Sequence, residues 1–190
     1  MTQTATLQTE ETFTAPTSSD PVINAGININ DYTSAGLKIY GEFEFDVTPE
    51  ELWPYIATVS GIASWFPIIL GGSHDDTTSE TKGTCGVGSK RYCKTLGMGT
   101  LDETILYWDQ PRAYVFNAKN IFLPIKDHAG AMTLDQLAPN KTQFTWAIHF
   151  EYKGLIMRHI MPSMMVMFMN LGLNGLAKKL GGKGGKMRII

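Results

Sequence analysis

From Leu37 to Val47 the chain alternates. Ile39, Gly41, Phe43, Phe45 and Val47 fall on one side, and Lys38, Tyr40, Glu42, Glu44 and Asp46 on the other. A period of two marks a strand with one face buried and one wet. The pattern then turns helical. Thr-Pro-Glu-Glu at 48–51 places Pro49 in the first helical position and Glu51 three residues after a Thr48 cap. Leu52, Trp53, Tyr55, Ile56 and Val59 supply the inner face of that helix. A second short helix is expected from Ser60 to about Trp65, ending at Phe66-Pro67. The polar stretch from Gly71 to Gly83 reads as a loop or weak strand. Strands follow over Lys90–Leu96, Thr100–Trp108, Ala113–Asn120, Asp127–Gln136 and Thr142–Tyr152. Short turns separate them, apart from an apolar loop at 121–126. Consecutive strands with short connections predict an antiparallel meander.

The final long element is apolar and strand-poor, from Leu155 to Leu180. Six of the ten methionines lie between Met157 and Met169. Spacings of three and four draw a helical face through Met164, Met165, Phe168, Leu171, Gly172, Gly175 and Leu176, with Asn170, Asn174, Lys178 and Lys179 on the other side. Such a stripe must be laid on something. The expected architecture is α+β: a curved antiparallel sheet of six to seven strands around a long C-terminal helix, with two short helices after the first strand.

Composition sets the boundaries. Residues 1–33 are Thr-rich and read as a flexible arm that Val22, Ile23, Ile27 and Ile29 could tack onto the domain. Residues 34–181 form the domain. Residues 182–190 read as a short basic tail, solvated and mobile rather than a contact for anionic lipid. At 43% hydrophobic and 18% charged residues, the chain has the make-up of a soluble globular protein. A net charge of −2 argues against a nucleic-acid partner. The start has no basic segment and no apolar core, so no signal peptide is expected. Pro162, Asn170 and Asn174 interrupt the one long apolar run, so no transmembrane segment is expected either. With Cys85 and Cys93 as reduced thiols, the expected location is the cytoplasm. His74, Asp75 and Asp76 sit on one polar loop without a distant third ligand, and GVGSKR is too short for a phosphate loop; no metal or cofactor is expected.

Several local patterns, in order, carry a family resemblance. They are F-x-F-D-V-T-P-E-E-L-W at 43–53, W-F-P at 65–67, G-V-G-S-K-R at 86–91, L-D-E-T-I at 101–105, W-D-Q-P-R at 108–112 and T-Q-F-T-W at 142–146. Together they resemble the helix-grip superfamily, which holds the START lipid-transfer domains, the birch pollen allergen, the plant abscisic-acid receptors and the polyketide cyclase/dehydrase proteins. The last branch is the best match, and the likeness covers residues 37–180. It implies a pocket between the concave sheet and the long helix. It fixes no reaction, because one fold hosts many functions.

Strand alternation then places the candidate side chains. In GSKRYCKT, Lys90 and Lys94 belong in water, so Arg91 and Cys93 point inward. Leu101, Glu103, Ile105 and Tyr107 share a face of the next strand. Glu103 resembles a pocket glutamate of the abscisic-acid receptors, and it falls within reach of Arg91. The two make either a self-neutralising structural pair or the polar end of a pocket that orients a ligand carbonyl. Alignment with the family pattern puts His128 near the pocket mouth, either as the acid/base group or as a strand-end histidine with only a hydrogen bond to satisfy. Phe144, Trp146, Ile148 and Phe150 face inward, and His149 outward. His159 is expected on the surface.

The expected catalytic set is therefore His128, Glu103, Arg91 and Tyr107. The expected ligand wall is Phe43, Cys93, Ile105, Phe116, Trp146, Ile148, Met164, Met165, Phe168 and Leu171. A Met-rich face against aromatic residues is either ordinary core or a surface for a bulky apolar ligand. The expected function is binding of a polyketide-like or lipid-like molecule. Cyclisation or dehydration without metal is one version, and a non-catalytic carrier or ligand sensor is the alternative. Oligomeric state is not readable.

Overall fold

A computed structural model describes residues 26–122, 125–152 and 154–190. Its strands are β1 (Leu37–Phe45), β2 (Ile69–Asp75), β3 (Lys90–Thr95), β4 (Gly99–Asp109), β5 (Ala113–Asn120), β6 (Ile125–Ala138), β7 (Lys141–Tyr152) and β8 (Gly184–Ile189). Helices α1 (Pro49–Ala57) and α2 (Val59–Ala63) follow β1, and α3 (Leu155–Leu180) precedes β8. The strands form one antiparallel sheet in the order β2-β3-β4-β5-β6-β7-β1-β8. The α+β helix-grip expectation holds, with eight strands rather than six to seven.

Both extra strands lie at sheet edges. In β2, Gly72 adopts φ 156° and approaches the Tyr92 carbonyl so closely that a Cβ would stand 1.9 Å from it. The glycines that made this stretch look like a loop are what let it pair. The polar tail is likewise a strand: β8 pairs with β1, and Met187 is fully buried over Gly41. Asn170 and Asn174 of α3 hold it like rungs. The Met187 amide donates to Asn170 Oδ1 at 2.7 Å, and Asn170 Nδ2 donates to the Met187 carbonyl at 3.1 Å. Asn174 makes the same pair of bonds with Gly185, each at 3.2 Å. The expected solvated tail is corrected by these contacts.

Helix α1 starts as its sequence dictates. The Glu51 amide donates to Thr48 Oγ1 at 3.3 Å, and the Thr48 amide to Glu51 Oε2 at 3.0 Å. Its buried side sends Leu52, Trp53 and Ile56 into a core shared with Phe43, Phe45, Ile105, Phe144 and Phe150. Trp53, Trp108 and Tyr114 meet edge-to-face or tilted, with centroids 5.1 to 5.7 Å apart.

The opposite face of the sheet is also covered. Ile27 and Ile29 pack on Tyr40, Ala113, Val115, Ala129, Ala131 and Ala147. Thr33 and Ser34 then donate to Asp127, and the Gly36 amide donates to Glu151 Oε1 at 2.9 Å. Ile27 and Ile29 thus tack the end of the arm onto the domain, as their apolar side chains suggest. Val22 and Ile23 fall outside the described residues. His149 faces outward as expected but is buried under this layer rather than wet. His159 is exposed, as expected.

Candidate functional site

Between the concave face of the sheet and the first half of α3 lies a cavity of about 100 Å³. Its walls are almost wholly apolar. Phe116, Met132, Trp146, Ile148 and Phe150 come from the sheet, Ile62 and Phe66 from the α2 region, and Met161, Met165 and Met169 from α3. The polar side chains reaching it are few: Arg91, Cys93, Thr95, Glu103, His128 and Tyr152.

Arg91 and Glu103 are paired residues of β3 and β4, so the register alone brings them together. Arg91 Nη2 lies 2.8 Å from Glu103 Oε2, with both side chains almost inaccessible. Arg91 Nη1 also donates to the carbonyl of Ala57, the last residue of α1, at 3.0 Å. That is where a helix presents partial negative charge. The guanidinium lies 4.9 Å from the Tyr114 ring centre and 5.1 Å from that of Phe116. Burial works against the Arg91 charge, and the neighbouring Glu103 charge outweighs it, so Arg91 stays protonated. Cys93 leans on the same carboxylate at 3.9 Å. Burial first, and Glu103 second, push its thiol up to about 12, which keeps it un-ionised and unreactive.

His128 has an open atom too, as Arg91 has at its buried Nε. Its ring packs between Phe116 and Phe150, 5.6 and 6.4 Å from their centres, and its buried Nδ1 has no hydrogen-bond partner among the described residues. Burial pulls its pKa down to about 4, so the imidazole is neutral at pH 7. Trp146 repeats the situation: its buried Nε1 donates to no group among the described residues.

Of the expected catalytic residues, the structure gathers Arg91, Glu103 and His128 at the cavity and excludes Tyr107. A bulge between Ile105 and Tyr107 shifts the register of β4. It sends Tyr107 to the outer face beside Tyr32 and turns Trp108 inward instead. Of the expected wall, Cys93, Phe116, Trp146, Ile148 and Met165 line the cavity. Phe43 and Ile105 are packed in the core instead, and Phe168 is partly buried against it. Met164 and Leu171 are exposed, at 41% and 65%. The inward stripe of α3 is Met161, Met165, Met169, Leu173 and Leu176, so the helix is rotated from the expected setting. Gly172 does not open the cavity. It seats α3 on the Trp65 carbonyl, where a Cβ would stand 2.7 Å away.

With the cavity and its walls defined, the chain can be compared with known proteins. A family model described as polyketide cyclase / dehydrase and lipid transport matches residues 37–181. The chain belongs to this family. Solved structures of START-like fold agree. A START superfamily protein from Mycobacterium smegmatis is 12% identical with a TM-score of 0.58, covering 76% of this chain and 99% of that one. A protein from Bacillus cereus is 15% identical with a TM-score of 0.58, covering 76% and 96%. An HSP90 activator from Plasmodium falciparum is 12% identical, also at 0.58, covering 78% and 99%. No curated protein matches in sequence. At these identities the structures speak to fold alone.

This family member also lines its cavity with residues that the reading of the sequence missed. Met161 and Met169 follow from Met165 at spacings of four, once one member of the stripe is known. Tyr152 was legible as the last inward position of β7, in step with Phe144, Trp146, Ile148 and Phe150. Burial pushes its phenol up to about 12, and its hydroxyl meets Met165 Sδ at 3.4 Å. Among the described residues no group of three His, Cys, Asp or Glu side chains is placed to hold a metal ion.

Proposed function

We propose that the protein binds a hydrophobic small molecule between its sheet and α3 and reads one polar feature of it with His128 and Trp146. The observation that carries this reading is the pair of orphaned polar atoms, His128 Nδ1 and Trp146 Nε1, on residues of an otherwise apolar wall. Buried polar groups are nearly always satisfied, and two left open beside a cavity favour a ligand that satisfies them. The neutral imidazole and the indole N–H fit a hydroxyl or carbonyl group rather than a carboxylate. The family description, which names polyketide chemistry and lipid transport, supports the same ligand class.

The cavity is small for a polyketide or a lipid chain. A cavity of about 150 Å³, half as large again, is what holds a benzene ring. Met161, Met165 and Met169 form the α3 wall, and methionine side chains re-pack readily, so a larger ligand enlarges the site by moving them. The geometry favours a carrier or sensor over a cyclase. Arg91 and Glu103 neutralise each other, Tyr107 is on the far face, and a histidine near pKa 4 is a weak base at neutral pH. Native mass spectrometry of protein purified from its own host tests the reading: a co-purifying apolar molecule with one or two oxygens is expected. His128→Leu should lower its occupancy. A protein that carries no such molecule, and that binds none from a panel of aromatic polyketides and fatty alcohols, refutes it.

A further inference from the structure

Helix α3 is apolar on two sides, and only one of them has a partner. Met169, Leu173, Leu176 and Ala177 are buried on the sheet. On the other side Ile160, Met164, Met167 and Leu171 are 53%, 41%, 56% and 65% exposed. Their spacings of four, three and four make a single line about 17 Å long, at 1.5 Å per residue. Lys178 continues that line seven residues further on. The segment Met157–Leu180 is long and apolar enough to cross a membrane by composition. It is instead fixed along one side to the core, so its free side can only lie on a surface. Two hairpin tips at the end of the sheet where α3 begins add Leu96, Ile121 and Phe122, exposed at 60%, 93% and 73%.

Charge identifies what that surface is. Residues 152–190 contain seven Lys and Arg and no Asp or Glu, while the first 151 hold all eighteen acidic residues against nine basic ones. Helix α3 itself carries Arg158, Lys178 and Lys179 and no acidic residue, so the element with the apolar line is positive in a chain whose net charge is −2. We infer that this face docks on a phospholipid bilayer with anionic headgroups. The exposed line is built of Ile, Met and Leu with no hydrogen-bonding side chain in it. That suits insertion into the acyl boundary, flanked by lysines and arginines at the headgroups, better than directional contact with a protein. The inference goes beyond the cavity and does not depend on what the cavity holds.

The test is co-sedimentation of the full chain with vesicles of phosphatidylcholine alone and of phosphatidylcholine mixed with phosphatidylserine. Binding to the mixed vesicles is expected, weakening as salt is raised. Met167→Glu/Leu171→Glu alters two exposed positions, so its thermal melt should match the parent protein. It should bind the mixed vesicles more than about tenfold more weakly. Lys178→Gln should cost roughly fivefold. Equal binding to both vesicle types, no binding to either, or unchanged binding by the double variant overturns the inference. So does self-association in analytical ultracentrifugation that the double variant abolishes while vesicle binding is absent, because the line is then a contact between copies. Cavity binding measured on the same double variant should be unchanged, which keeps the two readings separable.

Discussion

Lowering the pH should destabilise this protein through His128 in a way that one substitution removes. An imidazole in an unfolded chain titrates near 6.5. In the fold, burial beside Phe116 and Phe150 pulls it to about 4. The sign follows from proton counting. Between these two values the unfolded chain binds a proton at His128 and the folded chain does not, so stability falls as pH falls through this window. Above about 6.5 both states are neutral and the contribution is complete; below about 4 both are protonated and no more is lost. Two and a half units correspond to at most roughly 3 kcal/mol, the full value applying to a dry cavity. Carboxylates also titrate there, so the quantity to measure is a difference. Urea unfolding followed by tryptophan fluorescence, at steps of pH from neutral down to about 4, would be run on the parent protein and on His128→Gln. The gap in unfolding free energy should shift in favour of the variant by up to that amount as pH falls. A gap that stays constant across the window would mean that His128 is hydrated or paired, and the argument for an orphaned ring nitrogen would fail with it.

Three further outcomes follow from specific contacts. Glu103→Gln leaves Arg91 buried without its charge partner and should cost about 3–5 kcal/mol, whereas Arg91→Met/Glu103→Leu should recover most of that loss; chemical denaturation of the two variants beside the parent protein measures both. Asn170→Ala removes both hydrogen bonds to Met187 and should cost about 1–3 kcal/mol. Hydrogen exchange at the Met187 amide should accelerate far more than at β4 amides. Gly172→Ala pushes a methyl group into the Trp65 carbonyl and should lower stability by about 1–3 kcal/mol, while Gly175→Ala, which meets nothing within 4 Å, should not; thermal melts of the two separate the cases.

The meander, the capping box and the Arg91–Glu103 pair were readable in the sequence because each rests on local rules. Arg91 could be placed inward because Lys90 and Lys94 claim the wet face of a six-residue strand. The misplacements have equally definite causes. Tyr107 was lost to a bulge, and strand alternation carries no sign of an extra residue. The setting of α3 was lost because a helix that is apolar on both sides fits more than one rotation equally well. The β8 strand looked like a tail because Gly184 and Gly185 weaken any strand pattern, and the asparagines that hold it lie on a different element. The covering of the outer sheet face had left a trace. Ala129–Met132 and Trp146–Ile148 are apolar at consecutive positions, as strands buried on both faces are.

The asparagine rungs divide α3 unequally. Its second half is tied to β8 through main-chain groups, and Gly172 seats it on the Trp65 carbonyl. Its first half, over the cavity, rests on methionine side chains whose one directed contact is the weak bond from the Tyr152 hydroxyl to Met165 Sδ. Mechanically that makes the helix a lever with its fulcrum near Gly172 and its free arm above the cavity. Removing β8 loosens the anchored end without touching a single residue that lines the cavity, so such a change would alter how readily the cavity opens more than the shape of its walls.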